Sequence, residues 1–173
     1  PAHAQAGETL WEVAQRQGIE IPHLCHKPGY RPDGNCRACV VEVKGERTLA
    51  ASCCRTPMAG MVVHTDSDRA QKSRALVMEL LLADRPDSGV QWVDGEADMP
   101  HGELSQWAHQ MGVSVRPALQ DLRSGDTHDA QGVAWRDDSH PAMAVDLSAC
   151  IQCDRCVRAC GEVQVNQVIG VQG

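Results

Sequence analysis

Apolar positions along this chain change their period several times, and each change marks an element. Thr9-Leu10-Trp11-Glu12 has the form of a capping box, with Thr9 at the N-cap and Glu12 three residues on. Leu10, Val13 and Ala14 then fall on one face of a short helix, which Gly18 ends. From Cys39 to Val43 apolar and polar residues alternate weakly; Gly45 interrupts, and Thr48–Ser52 completes a predicted β-hairpin. Met61–His64 reads as a further short strand. Asp66 or Ser67 suits the cap of a second helix running to about Ala83, whose Leu76–Leu82 stretch is apolar except for Glu79.

Between the first helix and the hairpin lies a loop, Pro22 to Cys39, rich in Pro, Gly and Asn. Helix, loop, hairpin, strand and helix in that order predict a small α+β domain over residues 1–83. Residues 1–6 supply at most one strand, and a sheet of this kind needs another to pair with it, so the chain is expected to begin inside the domain. Residues 84–139 differ in character: Asp, Gly, Ser, Gln and Pro dominate, with one helical candidate near Glu103–Met111. Trp92, Trp107 and Trp135 suggest that this connecting segment packs on something. Residues 140–173 form a third region, which Ala142–Leu147 opens.

Charge sharpens that division. The net charge is −7, and residues 84–140 carry eleven acidic against four basic residues, whereas residues 1–83 carry nine against ten. No basic face is available for a nucleic-acid partner. With four Trp, one Tyr and no Phe, any core rests on aliphatic residues. No stretch approaches the ~20 apolar residues of a membrane span and no signal peptide opens the sequence, so the expected compartment is the cytoplasm.

Cysteine carries the chemistry. There are nine, and grouped cysteines in a chain without an export signal favour metal ligation over disulfides. Cys25, Cys36, Cys39 and then Cys53 or Cys54 read C-x10-C-x2-C-x13/14-C. Cys150, Cys153, Cys156 and Cys160 read C-x2-C-x2-C-x3-C. Both spacings are those of iron–sulfur ligands. In the first set three thiolates come from one loop and the fourth from further along, as a [2Fe–2S] cluster requires. Gly34, Asn35 and the small Ala38 suit a loop whose N–H groups approach inorganic sulfide. In an extended segment only one of the adjacent Cys53 and Cys54 would face the cluster, leaving the other as a small buried hydrophobe.

In the second set, Cys150, Cys153 and Cys156 would bind a first [4Fe–4S] cluster, and Cys160 would cross to a second. Only 13 residues follow Cys160, so both sites are expected to be completed by chain beyond this sequence. The alternative closes all four on a single cluster. Lys27, Arg31, Arg37 and Arg55 lie near the first ligands, either to offset an anionic cluster or as ordinary surface charge. His23 and His26 flank Cys25, but with four cysteines present a Rieske-type arrangement is not needed. His101, His109, His128 and His140 read as surface residues. A four-cysteine zinc site normally uses two short pairs, and the first set has one.

Three stretches carry a family resemblance: Ile21-Pro22-His23-Leu24-Cys25-His26, Gly34-Asn35-Cys36-Arg37-Ala38-Cys39-Val40-Val41-Glu42-Val43, and Ala51-Ser52-Cys53-Cys54-Arg55-Thr56-Pro57. They resemble the [2Fe–2S] domain of NAD-dependent, molybdenum-containing formate dehydrogenase α subunits. They are less closely similar to the corresponding complex I subunit and to hydrogenase ferredoxin-like domains. The resemblance covers roughly residues 7–83 and implies a β-grasp ferredoxin fold. The family's fourth ligand follows Ala-Ser, which implies Cys53 here, with Cys54 as the alternative. His140 to Cys150 and Glu162 to Gly170 resemble the same subunits, which implies the first half of a two-cluster [4Fe–4S] ferredoxin-like domain. One departure from complex I is that residues 84–140 contain no cysteine.

The expected function is electron transfer within a larger oxidoreductase, with molybdopterin, flavin and NAD in the parent complex. Its partners would be flavin- and NAD-binding redox subunits and the molybdopterin domain. An NADH dehydrogenase or NAD-linked hydrogenase subunit is the first alternative, a free ferredoxin shuttle another, and a zinc-binding structural module the last. The chain shows no Gly-rich phosphate loop, no G-x-S-x-G and no H-E-x-x-H, so no catalytic residues of its own are expected.

Overall fold

A computed structural model describes residues 2–84, 102–120, 136–141, 143–147 and 150–170. The chain forms two compact units, one of residues Pro1–Val77 with Cys153–Gly173, the other of Met78–Gln152.

The first unit begins with α1, Leu10–Arg16. Both halves of the predicted capping box are present: Glu12 N–H donates to Thr9 Oγ1 at 3.3 Å, and Thr9 N–H donates to the Glu12 carboxylate at 2.7 Å. The next free amides of the helix bond out of it. Leu10 N–H donates to the Arg55 carbonyl at 2.8 Å and Trp11 N–H to that of Ser52 at 3.0 Å. Helix ends leave such donors unsatisfied, and here they clasp the turn that holds Cys53. The buried face is Leu10, Trp11 and Ala14; Val13 is only half-buried. Trp11 takes its place because the large ring lies against His23 and His26 while its Nε1–H reaches the Ile21 carbonyl at 3.4 Å.

Strands β1 (Val40–Val43), β2 (Ala50–Ala51) and β3 (Val63–His64) form an antiparallel sheet in the order β2-β1-β3. Val40 pairs with Ala51 and Val41 with Ala50, while Glu42 pairs with His64 and Val43 with Val63. Side chains alternate along a strand, so Cys39, Val41 and Val43 share one face. They join Leu10, Trp11, Ala14, Ile21, Ala51 and Cys53 in one apolar cluster. Two cysteines are thus built into the core itself.

Helix α2, Asp68–Ala83, starts with Ser67 Oγ accepting from Ala70 N–H at 3.3 Å. Of its buried positions, Ala70, Arg74, Met78 and Leu82 recur every four residues, with Glu79 and Ala83 beside the last two. Arg74 breaks the apolar pattern: its Nε donates to the Val40 carbonyl at 2.8 Å, a buried guanidinium on the backbone of β1.

In the second unit, α3 covers Glu103–Gln110, as the sequence predicts, and α4 covers Pro117–Gln120. Leu104, Ser105 and Ala108 are buried and Trp107 is half-buried. Arg116 donates from its main-chain N–H and its Nε to the Glu79 carboxylate at 3.0 and 2.6 Å. Strands β4 (Arg136–His140) and β5 (Met143–Asp146) form an antiparallel hairpin. The predicted roles of Trp92, Trp135, His101 and His128 lie outside the described residues.

The segment from Cys153 onward belongs to the first unit. It contains α5, Arg155–Arg158, followed by a π-helical turn over Ala159–Val163. Among the described residues no helix is long and apolar enough to cross a membrane.

Candidate functional site

Residues distant in sequence bring the first four cysteines together. Cys25 ends the segment after Ile21 and Leu24, which are both fully buried and anchor the loop. Cys39 enters β1 on the core face, and Cys53 lies in a tight turn that closes as Cys54 and Arg55 N–H bond back to the Ala51 carbonyl at 3.1 and 3.0 Å. Cys25, Cys39 and Cys53 are buried and Cys36 is partly so. Cys25 N–H donates to Cys36 Sγ at 3.4 Å, and the sulfurs of Cys39 and Cys53 are 3.4 Å apart. The Cys25 thiol also shares hydrogen bonds with those of Cys36 and Cys53. The four thiols form one connected run: Cys36, Cys25, Cys53, Cys39.

Their ionisation follows from that packing. The Cys36 thiol, and then that of Cys53, hydrogen bond to Cys25 and hold its pKa far below the usual thiol value. Cys39 is pulled down to about 6, chiefly by its hydrogen bond with Cys53. Cys36 and Cys53 are pushed far up, because each shares its proton with a neighbour that ionises first and because burial opposes a further charge. Main-chain N–H groups of Cys36 and Gly34 support Cys25, those of Cys25 and Ala38 support Cys36, and that of Cys53 supports Cys39. Such N–H···S contacts are how a protein stabilises thiolate and tunes a thiolate-bound cluster. The donor set fits an iron–sulfur group: four soft sulfurs close together, with main-chain amide donors aimed at them. Among the described residues no group of three or more His, Cys, Asp or Glu is arranged to hold a single metal ion. A cluster that divides its thiolates between two irons does not require one.

Cys54 is exposed, with its sulfur 3.6 Å from that of Cys53. The pair sits in a turn rather than an extended segment, so both sulfurs lie on the same side and burial, not strand alternation, distinguishes them. Gly34 is part of this arrangement. Its φ of +68° suits glycine, and a Cβ there would meet Cys54 Sγ at 2.7 Å.

The flanking histidines pack on Trp11, with ring centroids 4.8 Å away for His23 and 4.7 Å for His26. Burial, and then His23, push the His26 pKa down. Of the cations near the ligands in sequence, Arg31 pairs with Glu162 at 3.1 Å and Arg55 with Glu46 at 2.5 Å. Lys27 and Arg37 are exposed. Among the described residues the buried arginines are two others, Arg74 and Arg158, neither of which stands out in the sequence as a site residue. The signals that could find them are positional: Arg74 occupies a buried-face position of α2, and Arg158 stands between Cys156 and Cys160.

The second set is arranged differently. Cys150 and Cys156 are exposed, Cys153 is half-buried and Cys160 is buried. Cys150 Sγ accepts from Gln152 N–H at 3.4 Å. Cys160 Sγ donates to Asn166 Oδ1 at 2.8 Å and accepts from Val168 and Ile169 N–H at 3.1 and 3.3 Å. Gln152 and Asp154, on either side of Cys153, and Val165 and Gln167 beyond Cys160 all have φ between 48° and 56°. Non-glycine residues seldom adopt that conformation, least of all a β-branched one. Arg158 ties this segment to the first: Nη1 donates to the Arg31 carbonyl at 2.7 Å, and Nη2 to those of Cys25 and, at 3.1 Å, Cys153.

Comparison with known proteins agrees with this geometry. Residues 1–68 match the 2Fe-2S iron-sulfur cluster binding domain family. The chain is 32% identical over 162 residues to an NADH-quinone oxidoreductase subunit of Rhizobium meliloti, covering 92% of this chain and 17% of that protein. It is 32% identical over 170 residues to the mitochondrial NADH-ubiquinone oxidoreductase 78 kDa subunit of Candida albicans, covering 98% and 22%. The chain therefore spans about a fifth of the length of these curated relatives. The crystal structure of an NAD+-reducing [NiFe]-hydrogenase in the H2-reduced state superposes with a TM-score of 0.75 at 29% identity, covering 99% of this chain and 68% of that one. The α+β domain around Cys25, Cys36, Cys39 and Cys53 is a ferredoxin-like 2Fe-2S binding domain, homologous to the matching regions of these NADH-quinone and NADH-ubiquinone oxidoreductase subunits and of NAD+-reducing hydrogenase.

Proposed function

We propose that this chain carries electrons through iron–sulfur clusters as part of a larger NAD-linked oxidoreductase. The observation that bears most weight is the buried, hydrogen-bonded run of Cys25, Cys36, Cys39 and Cys53. In this reading Cys25, Cys36, Cys39 and Cys53 would together hold a [2Fe–2S] cluster within a β-grasp fold. Cys53 is the fourth ligand because it is buried beside Cys39, while Cys54 is exposed. A bound cluster supplies reversible one-electron transfer, which no side chain here can perform. The chain's own residues hold the sulfurs, direct amide donors at them and exclude water.

Cys150, Cys153 and Cys156 are assigned to a first [4Fe–4S] cluster and Cys160 to a second, on their spacing. The domain plan is a [2Fe–2S] domain over 1–83, a connecting segment over 84–139 and the first part of a two-cluster domain over 140–173. The chain works in the cytoplasm, a placement supported by nine cysteines of which none is paired in a disulfide. Its redox partners are flavin- and NAD-binding subunits.

For the parent activity, the three cysteine-bearing stretches support a formate dehydrogenase with a molybdopterin domain. The relatives found by comparison support a second reading, an NADH dehydrogenase or NAD-linked hydrogenase subunit. Purification under anaerobic conditions, with iron, zinc and acid-labile sulfide measured, tests the electron-transfer reading. Iron and sulfide together are expected; zinc without sulfide from iron-replete cells would replace the cluster with a structural zinc site. Reduction of the parent complex by formate, NADH or H2 in turn then separates the two parent activities.

A further inference from the structure

Arg158 stands among the ligands of the second cysteine set, yet the residue is only 5% exposed and its guanidinium bonds to the main chain of the first. Nη1 donates to the Arg31 carbonyl at 2.7 Å. Nη2 donates to the Cys25 carbonyl and to the Cys153 carbonyl at 3.1 Å, so a single nitrogen touches one cysteine of each set. The Tyr30 ring lies 5.9 Å from the guanidinium carbon, and Nε is buried with no partner. Burying an arginine without a carboxylate is costly, and an apolar residue of similar volume would cost less. Stability alone does not account for a charge at this place.

Two neighbours join the same pair of segments. Arg155 Nη2 donates to the His26 carbonyl at 2.9 Å, and Arg31 pairs with Glu162 at 3.1 Å. Both are nearer the surface, where such contacts contribute little. Arg158 is the buried member.

Resting on the assignment of both sets as cluster ligands, we propose that Arg158 is a positioning residue that latches the Cys25 loop to the Cys153 loop and sets the potential of the first site. Its hydrogen bonds complete a continuous bonded path from Cys25 to Cys153. The transfer it serves moves one electron, one site being oxidised as the other is reduced, with no bond made or broken and no proton moved. A fixed cation beside Cys25 favours the extra negative charge of the reduced state, and so raises the midpoint potential.

The test uses the anaerobically purified full chain with its [2Fe–2S] cluster and the variants R158M and R158K. An EPR redox titration gives the midpoint of the [2Fe–2S] signal, and hydrogen exchange reads the amides of residues 25–31. R158M is expected to lower the midpoint by about 59 mV, a tenfold shift in a one-electron equilibrium, and to speed exchange in that loop at least tenfold. R158K keeps the charge without the fork, so it should restore the midpoint and leave the loop exchange fast. R158Q replaces R158M if the latter fails to take up iron. An unchanged midpoint and unchanged exchange in a neutral variant that retains its iron would overturn the proposal. Absence of a [2Fe–2S] signal from the wild-type chain would instead count against the assignment of Cys25, Cys36, Cys39 and Cys53 as ligands, and the exchange measurement would still decide whether the latch exists.

Discussion

The two cysteine sets are made by different means. The first draws Cys25 from a loop, Cys39 from the start of a strand and Cys53 from a turn, and holds three of its four thiols in the buried interior. The second is a local run in which only Cys160 is buried. A site assembled by the tertiary fold is already organised by the packing of Val41, Val43 and Ile21 around it. A site assembled by spacing leaves its sulfurs where the short helix and its turns present them. Loss of tertiary structure should therefore destroy the first site and affect the second less.

The largest expected difference comes from the ligands. Cys39→Ser should abolish the [2Fe–2S] EPR signal, since it removes a core thiol as well as a ligand, whereas Cys156→Ser should leave that signal intact. Cys53→Ser should do the same as Cys39→Ser, while Cys54→Ser should retain at least half of the cluster by iron and sulfide assay. Cluster loss from the Cys54 variant alone would exchange the two assignments.

Gly34→Ala comes next. A side chain at φ +68° costs about 1–2 kcal/mol, and its Cβ would collide with Cys54 Sγ. Denaturant unfolding should show that loss, and adding Cys54→Ala should recover the steric part but not the conformational part. Thr9→Ala removes the cap of α1 and should cost about 1 kcal/mol in the same assay, because the helix that clasps the Cys53 turn begins there. The smallest effect belongs to an ion pair within the second unit. Arg116 holds the Glu79 carboxyl below its usual value of 4.5, so the ion pair's contribution is present above that pH and disappears as pH falls through the lower folded value. Glu79→Gln should lower Tm slightly at pH 7 and make no difference at pH 2.

Much of the first unit could be read from the sequence. The capping box at Thr9, the Gly45 break between two strands and the cap at Ser67 all act through local chemistry, and all three appear. Less legible was what depends on distant partners. Trp11, rather than Val13, is buried because two histidines more than ten residues away lie against it. Strand β4 reads Arg136-Asp137-Asp138-Ser139-His140, with no apolar alternation to reveal it; pairing with β5 makes it a strand. The Cys53–Cys54 turn closes on the Ala51 carbonyl, a contact that spacing cannot show. Arg74 and Arg158 mislead for the same reason: an isolated arginine reads as surface charge, and only the carbonyls of β1 and of the cysteine loops bring them inside.

The central claim is that Cys25, Cys36, Cys39 and Cys53 hold a [2Fe–2S] cluster independently of the second set. EPR of the dithionite-reduced chain, recorded for the wild type, Cys25→Ser and Cys153→Ser, tests it most directly. The account predicts a one-electron [2Fe–2S] signal in the wild type that is lost in Cys25→Ser and kept in Cys153→Ser. A signal that survives Cys25→Ser, or that disappears with Cys153→Ser while the fold is intact, would contradict it.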